Sequence, residues 1–115
     1  MNVAQGDVWW ANLGKPVGSE PAYRRPVVVV QGNAFNRSAI STLVCVAITS
    51  TLKRAAAPGN VELTPRESGL DKQSVANVSQ LVTLDRTSLR QRVGRIPDRK
   101  LHLILRGIDV VLGRP

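Results

Sequence analysis

Val27 to Val30 form an unbroken apolar run, preceded by Arg24, Arg25 and Pro26. A β-branched run of that length predicts a strand over residues 25–31 buried on both faces. Proline is tolerated at the start of a strand, where it costs no ladder bond. Residues 6–13, GDVWWANL, read as an earlier strand with Trp9 and Trp10 on opposite faces. Residues 41–50, STLVCVAITS, read as another β-branched strand. Residues 61–65 and 73–85 predict short strands, and LRQRVGRI (89–96) mixes apolar and basic side chains at strand period.

The pattern changes at the end of the chain. Leu101, Ile104, Leu105, Ile108, Val111 and Leu112 recur at helical spacing. Asp98 is the expected N-cap and Gly113 the expected stop, while His102, Arg106 and Asp109 share a polar stripe. Between the elements, residues 14–23 hold two glycines and two prolines and predict a long, mobile loop. Residues 32–39 read as a connection and residues 51–60 as a second, basic loop. Short strands followed by one terminal helix predict a mainly β fold, a small curved barrel with a helix packed on it. At 115 residues, with no repeat or linker, the chain reads as one domain, 1–115.

Charge adds a partner to this picture. The formal net charge is +8 and the isoelectric point about 11.1. Twelve of the sixteen basic residues are arginine, whose planar fork matches phosphate geometry. A polyanion, nucleic acid above all, is the partner such a surface favours. The lone Cys45 lies within LVCVAI and reads as a small core residue. With one histidine, one cysteine and eight scattered acidic residues, no metal site or other cofactor is expected. His102, the sole histidine, reads as a surface residue, and two-histidine acid–base catalysis is excluded. No leader and no bilayer-length apolar run is read, so a cytoplasmic, non-membrane protein is expected.

The candidate chemistry gathers where the valine strand begins. Strand alternation sends Arg24 and Arg25 to opposite sides, so only one of them is expected in a given groove. Pro26 stiffens the backbone of Arg25. Glu20 stands a few residues upstream, and Thr49, Ser50 and Thr51 close the 41–50 strand ahead of Lys53 and Arg54.

GDVWWANL, VGSEPAYRRPVVVVQGNAFN, VAITS and VSQLVTLDRTSL, in that order, resemble the successive signatures of the MazF/PemK family of toxin endoribonucleases. The resemblance covers nearly the whole chain. It implies a small SH3-like barrel of the PemK/CcdB type and a homodimer. It also implies metal-independent cleavage of single-stranded RNA at short sequences, and neutralisation by a cognate antitoxin. The family's cleavage pair falls on Arg25 and Thr49. Its Gly-Ser-Glu loop falls on Gly18, Ser19 and Glu20, with Ser19 beside the RNA and Glu20 the available base. Gln80 matches an RNA-contacting glutamine; Arg24, Ser50 and Lys53 complete the expected RNA contacts. Arginines 86, 90, 92 and 95 are expected to hold the RNA backbone. Ser79 and Ser88 depart from the family's acidic residue and arginine, which bears on base preference and dimer contacts. The rival class is a non-catalytic binder, either a gyrase-binding toxin of the same fold or an RNA-binding SH3-like module. With Trp9, Trp10, Tyr23 and Phe35 as the only aromatics, a stacking platform of the usual RNA-module kind is poorly supported.

Overall fold

Val27, Val28 and Val29 are fully shielded from solvent, as the unbroken apolar run requires. The computed structural model describes residues 2–15, 18 and 23–115. Its elements are β1 (Asp7–Asn12), β2 (Arg24–Val29), the helical turn α1 (Asn33–Asn36), β3 (Thr42–Thr49), β4 (Val61–Leu63), the helical turn α2 (Pro65–Ser68), β5 (Ser74–Asp85), β6 (Leu89–Arg95) and the helix α3 (Asp98–Val111). The strands form one antiparallel sheet in the order β4-β5-β3-β2-β1-β6.

Alternation along the strands builds two cores, one on each face of the sheet. Val8, Val28, Val46 and Ile48 pack with Leu63, Val78 and, from α3, Leu101 and Ile104. Trp9, Val27, Val29, Leu43 and Cys45 form the other cluster with Leu84 and Leu89. Trp9 and Trp10 divide between the clusters, as their neighbouring positions require. Cys45 is fully buried, and desolvation pushes its thiol up to about 12, so it stays protonated and inert.

The sheet curls without closing, for β4 and β6 are its unpaired edges. The turn α2 packs against both and fills the gap. A T-x-x-E capping box holds this turn. Glu67 N–H donates to Thr64 Oγ1 at 3.2 Å, and Thr64 N–H donates back to Glu67 Oε1 at 2.9 Å. Arg99 and Lys100 from α3 also reach the Glu67 carboxylate, at 2.7 and 3.6 Å. The Thr64 backbone bond, before the charges of Lys100 and Arg99, holds Glu67 below its usual value of 4.5. A depressed carboxylate stabilises the fold above its unfolded pKa, and that contribution disappears as pH falls through the folded value. Wild-type stability is therefore expected to fall as pH drops below about 4.5. Glu67→Gln should start less stable at neutral pH and show a flatter decline, measured by urea denaturation across pH 3–7. Parallel profiles for the two proteins would remove Glu67 from the acid response.

Four readings of the sequence are corrected. Within residues 73–85, Ser74–Asp85 form one strand of 12 residues rather than a short one, serving both β3 and β4. A register shift between Val46 and Ile48 lets it bend: Val46 pairs with Leu81, but Ile48 pairs with Ala76. The 51–60 loop contains a 3₁₀ turn, Leu52–Ala56, and the 32–39 connection contains α1. Asp98 is the first helical residue and Pro97 the cap position, where proline's fixed φ suits helix entry. Gly113 does stop α3, with φ +70°. Val111 and Leu112 are exposed, because the buried stripe of the helix runs through Leu101, Ile104 and Gly107 instead. His102 is exposed on that helix, and no described helix is long and apolar enough to cross a membrane.

Candidate active site

Burying one valine contributes roughly 1.5 kcal/mol or more, so three in succession fix the backbone of β2 firmly. Arg25 stands two residues upstream of that anchor. β2 pairs with β3 in a register that sets Val27 against Ala47. Arg25 and Thr49 lie two residues beyond that last pair, at the adjoining ends of β2 and β3. On the other side Arg25 pairs with Ala11 of β1. An arginine and a threonine hydroxyl are thus both carried at the end of the sheet, on adjacent strands.

Both residues line a groove of about 600 Å³. Trp10, Tyr23 and Arg24 form one part of its wall, and Ser50 and Thr51 continue from Thr49. Leu70, Asp71, Lys72 and Ser74 form the opposite rim, so three cations face one described carboxylate. Thr51 N–H donates to Thr49 Oγ1 at 3.1 Å, which occupies a lone pair and leaves the hydroxyl proton to be donated. Arg25 is half-buried and makes no ion pair with a described carboxylate. A half-buried guanidinium with no counter-charge among the described residues is suited to an incoming anion.

Arg24 shows where alternation alone misleads. It lies over the Trp10 ring, 4.4 Å from the centroid, on the strand face opposite Arg25. Both arginines nevertheless line the groove, because the depression wraps around the strand end and takes its wall from both faces. The expectation that only one could enter is corrected.

The other expected contacts divide. Ser50 lines the groove; Lys53 and Gln80 are not among its lining residues. Gln80 Oε1 accepts from Asn77 Nδ2 at 3.2 Å, and Asn77 Oδ1 in turn accepts from Asn60 Nδ2 at 3.3 Å, an amide network at the bend of β5. Ser19 and Glu20 lie outside the described residues.

The four arginines expected to hold the RNA backbone are placed elsewhere. Arg86 donates to the carbonyls of Ile40 and Asn36 at 2.9 and 2.7 Å, tying down the loop after α1. Arg92 pairs with the buried Asp7 at 3.2 Å, and Arg90 donates to the Thr87 carbonyl at 2.6 Å. Arg95 lies 3.9 Å from Asp98. None of them lines the groove. Tyr23, Asp71, Lys72 and Ser74 were not singled out as site residues from the sequence. The Thr64–Glu67 box, followed by Gly69, was the available sign of a turn delivering 70–74 to a defined place.

Comparison with solved structures assigns the fold. MazF from Deinococcus radiodurans is similar over 98% of both chains, with a TM-score of 0.82 and 24% identity. An endoribonuclease from Mycobacterial species, solved in complex with its cognate antitoxin, is similar with a TM-score of 0.80 and 26% identity. That likeness covers 98% of this chain and 97% of the other. The curled six-stranded sheet with its terminal helix is the fold of MazF toxins. Among curated relatives, endoribonuclease MazF2 of Mycobacterium bovis is 43% identical over 112 residues, covering 97% of this chain and 98% of its own. Endoribonuclease EndoA of Bacillus subtilis is 31% identical over 112 residues, covering 97% and 96%. The family model of the PemK-like, MazF-like toxins of type II toxin–antitoxin systems matches residues 4–112, and the chain belongs to that family.

Proposed function

We propose that this chain is the toxin of a toxin–antitoxin pair, an endoribonuclease that cleaves single-stranded RNA without a metal. The observation that carries the reading is the placement of Arg25 and Thr49 in one basic groove, with Arg25 paired to no described carboxylate. The RNA's own 2′-oxygen attacks the adjacent phosphorus, and the bond from phosphorus to the 5′-oxygen breaks. The products are a 2′,3′-cyclic phosphate and a 5′-OH. Negative charge grows on the non-bridging oxygens as the attack proceeds. Arg25, positioned beforehand by β2, stabilises that charge, and the Thr49 hydroxyl donates to the same group. Arginine stays protonated and does not serve as the base. The proton of the 2′-OH passes to a carboxylate, for which Asp71 lines the groove and Glu20 stands upstream in the sequence. The departing 5′-oxygen takes a proton from solvent. Ser50, Arg24 and Lys72 hold the neighbouring phosphates.

Among the described residues no three His, Cys, Asp or Glu side chains gather as a ligand set. The protein works as a homodimer in the cytoplasm. A cognate antitoxin silences it with an acidic, partly apolar segment that orders on contact and covers Arg25. The two arginines and the hydroxyl row at the groove favour cleavage over a gyrase-binding or purely RNA-binding role, which would need no such pairing.

The test is incubation with mixed RNA in EDTA, with chemical mapping of the cut ends. Cleavage should persist, leaving cyclic phosphate and 5′-OH termini. Replacing the scissile ribose by 2′-deoxyribose should abolish it. Activity lost in EDTA and restored by magnesium would overturn the mechanism.

A further inference from the structure

Two aromatic rings line the groove, and they differ in availability. Trp10 is half-buried against the core, and the Arg24 guanidinium lies over its ring. Tyr23 is 62% exposed, and its hydroxyl makes no hydrogen bond among the described residues. Its backbone is fixed on both sides: Tyr23 N–H donates to the Gly14 carbonyl at 2.6 Å, and Leu13 N–H donates to the Tyr23 carbonyl at 2.7 Å. The backbone that carries the ring is therefore held in place at the head of β2.

The backbone there is unusual. Tyr23 has φ +55°, the one non-glycine residue with positive φ among those described. Glycine adopts that conformation freely, whereas a side chain with a Cβ does so at a cost. A bulky, solvent-facing aromatic held at such a position, inside the groove, points to a role other than folding.

We propose that Tyr23 is a stacking residue for one nucleobase of the bound RNA, and so a determinant of affinity. The assignment rests on the reading of the groove as an RNA site. Tyr23 and Arg25 are two positions apart, with only Arg24 between them, a span of at most about 7 Å. The stacked base therefore belongs to a nucleotide flanking the phosphate at Arg25. Stacking on an aromatic face tolerates any base and tightens binding without touching the reacting atoms. Arg24, drawn onto Trp10, leaves the Tyr23 face open.

The experiment uses an RNA oligomer whose cut site has been mapped, made non-cleavable by 2′-deoxyribose at that site. Tyr23→Gly should bind it roughly ten- to a hundredfold more weakly, the loss typical of one stacked base. Its thermal stability should equal or exceed wild type, because glycine relieves the backbone. Tyr23→Phe should bind within about twofold of wild type, since the ring face does the stacking. An abasic nucleotide at the flanking position should weaken wild-type binding by a similar factor and add little to the loss in Tyr23→Gly. Wild-type affinity in Tyr23→Gly would overturn the assignment and leave the ring as a protein-docking contact. An abasic penalty undiminished in Tyr23→Gly would overturn it as well, by placing the stacked base elsewhere. Arg25→Ala separates the underlying reading: cleavage at the wild-type rate by that variant would remove the groove from catalysis, and the Tyr23 proposal with it.

Discussion

Arg25→Ala should lose two to three orders of magnitude in cleavage rate while remaining folded. That is the scale of removing one preorganised donor from a developing oxyanion. The comparison that gives the result meaning is Arg24→Ala. Arg24 sits on the indole of Trp10, 4.4 Å from its centroid, and is exposed. An exposed cation–π contact contributes about 0.5–1 kcal/mol, so its loss should change RNA affinity or stability by only a few-fold. Single-turnover cleavage at saturating RNA separates the two, because it reads the chemical step without binding. Equal losses for both variants, with unchanged circular dichroism, would mean that Arg25 has no special position at the phosphate.

Gly107→Ala should destabilise the fold by about 2 kcal/mol net, although two effects oppose each other. Alanine in place of glycine inside a helix normally stabilises by roughly 1 kcal/mol. Here the added Cβ would overlap the carbonyl oxygen of Gly59, which is backbone and cannot rotate away. Overpacking of this kind costs about 1–3 kcal/mol, and the contact is close enough to place it at the upper end. The net loss should lower the melting temperature by roughly 10 °C. The 51–60 segment should loosen first, since the clash pushes it from α3. A melting temperature at or above that of wild type would show that the helix shifts to accommodate the methyl group.

The strands were legible wherever burial alone decides conformation. The valine run, the LVCVAI segment and the two tryptophans obey alternation because each side chain enters one of two dry clusters. The helix body was legible for the same reason, and so was its stop at Gly113, but its cap and the exposure of its last turn were not. Val111 and Leu112 keep helical spacing past the point where the sheet ends, so the period continues without a surface to bury against. The strand over 73–85 looked short because its bend comes from a register shift with β3, a relation between distant segments that no local window contains. The turn α2 was legible in principle, for Thr64-Pro65-Arg66-Glu67 satisfies the capping pattern, but four residues carry no periodicity.

The candidate site divided along the same line. Arg25 and Thr49 were reachable because each stands at the end of a readable strand, and the family resemblance named them. Asp71 and Lys72 were not, since only the chain's return past Gly69 brings them opposite β2. The arginines at 86, 90, 92 and 95 were expected to hold RNA on the endoribonuclease reading, and none of them lines the groove. Charge cannot distinguish a free guanidinium from one already engaged with Asp7 or with the carbonyls of a neighbouring loop.

The rim opposite Arg25 hangs from a turn that carries its own cap and packs against the two edge strands of the sheet. On the proposed reading this creates a division of labour. The two central strands that hold the cutting pair are walled in by core on both faces, and almost any change there threatens the whole protein. Tyr23, Asp71 and Lys72 are exposed loop and strand-end positions, where replacement is better tolerated. Selection can therefore retune which RNA is cut by working on the borders of the groove. The way the phosphate is broken stays fixed, and one scaffold can diversify into nucleases with different targets and identical chemistry.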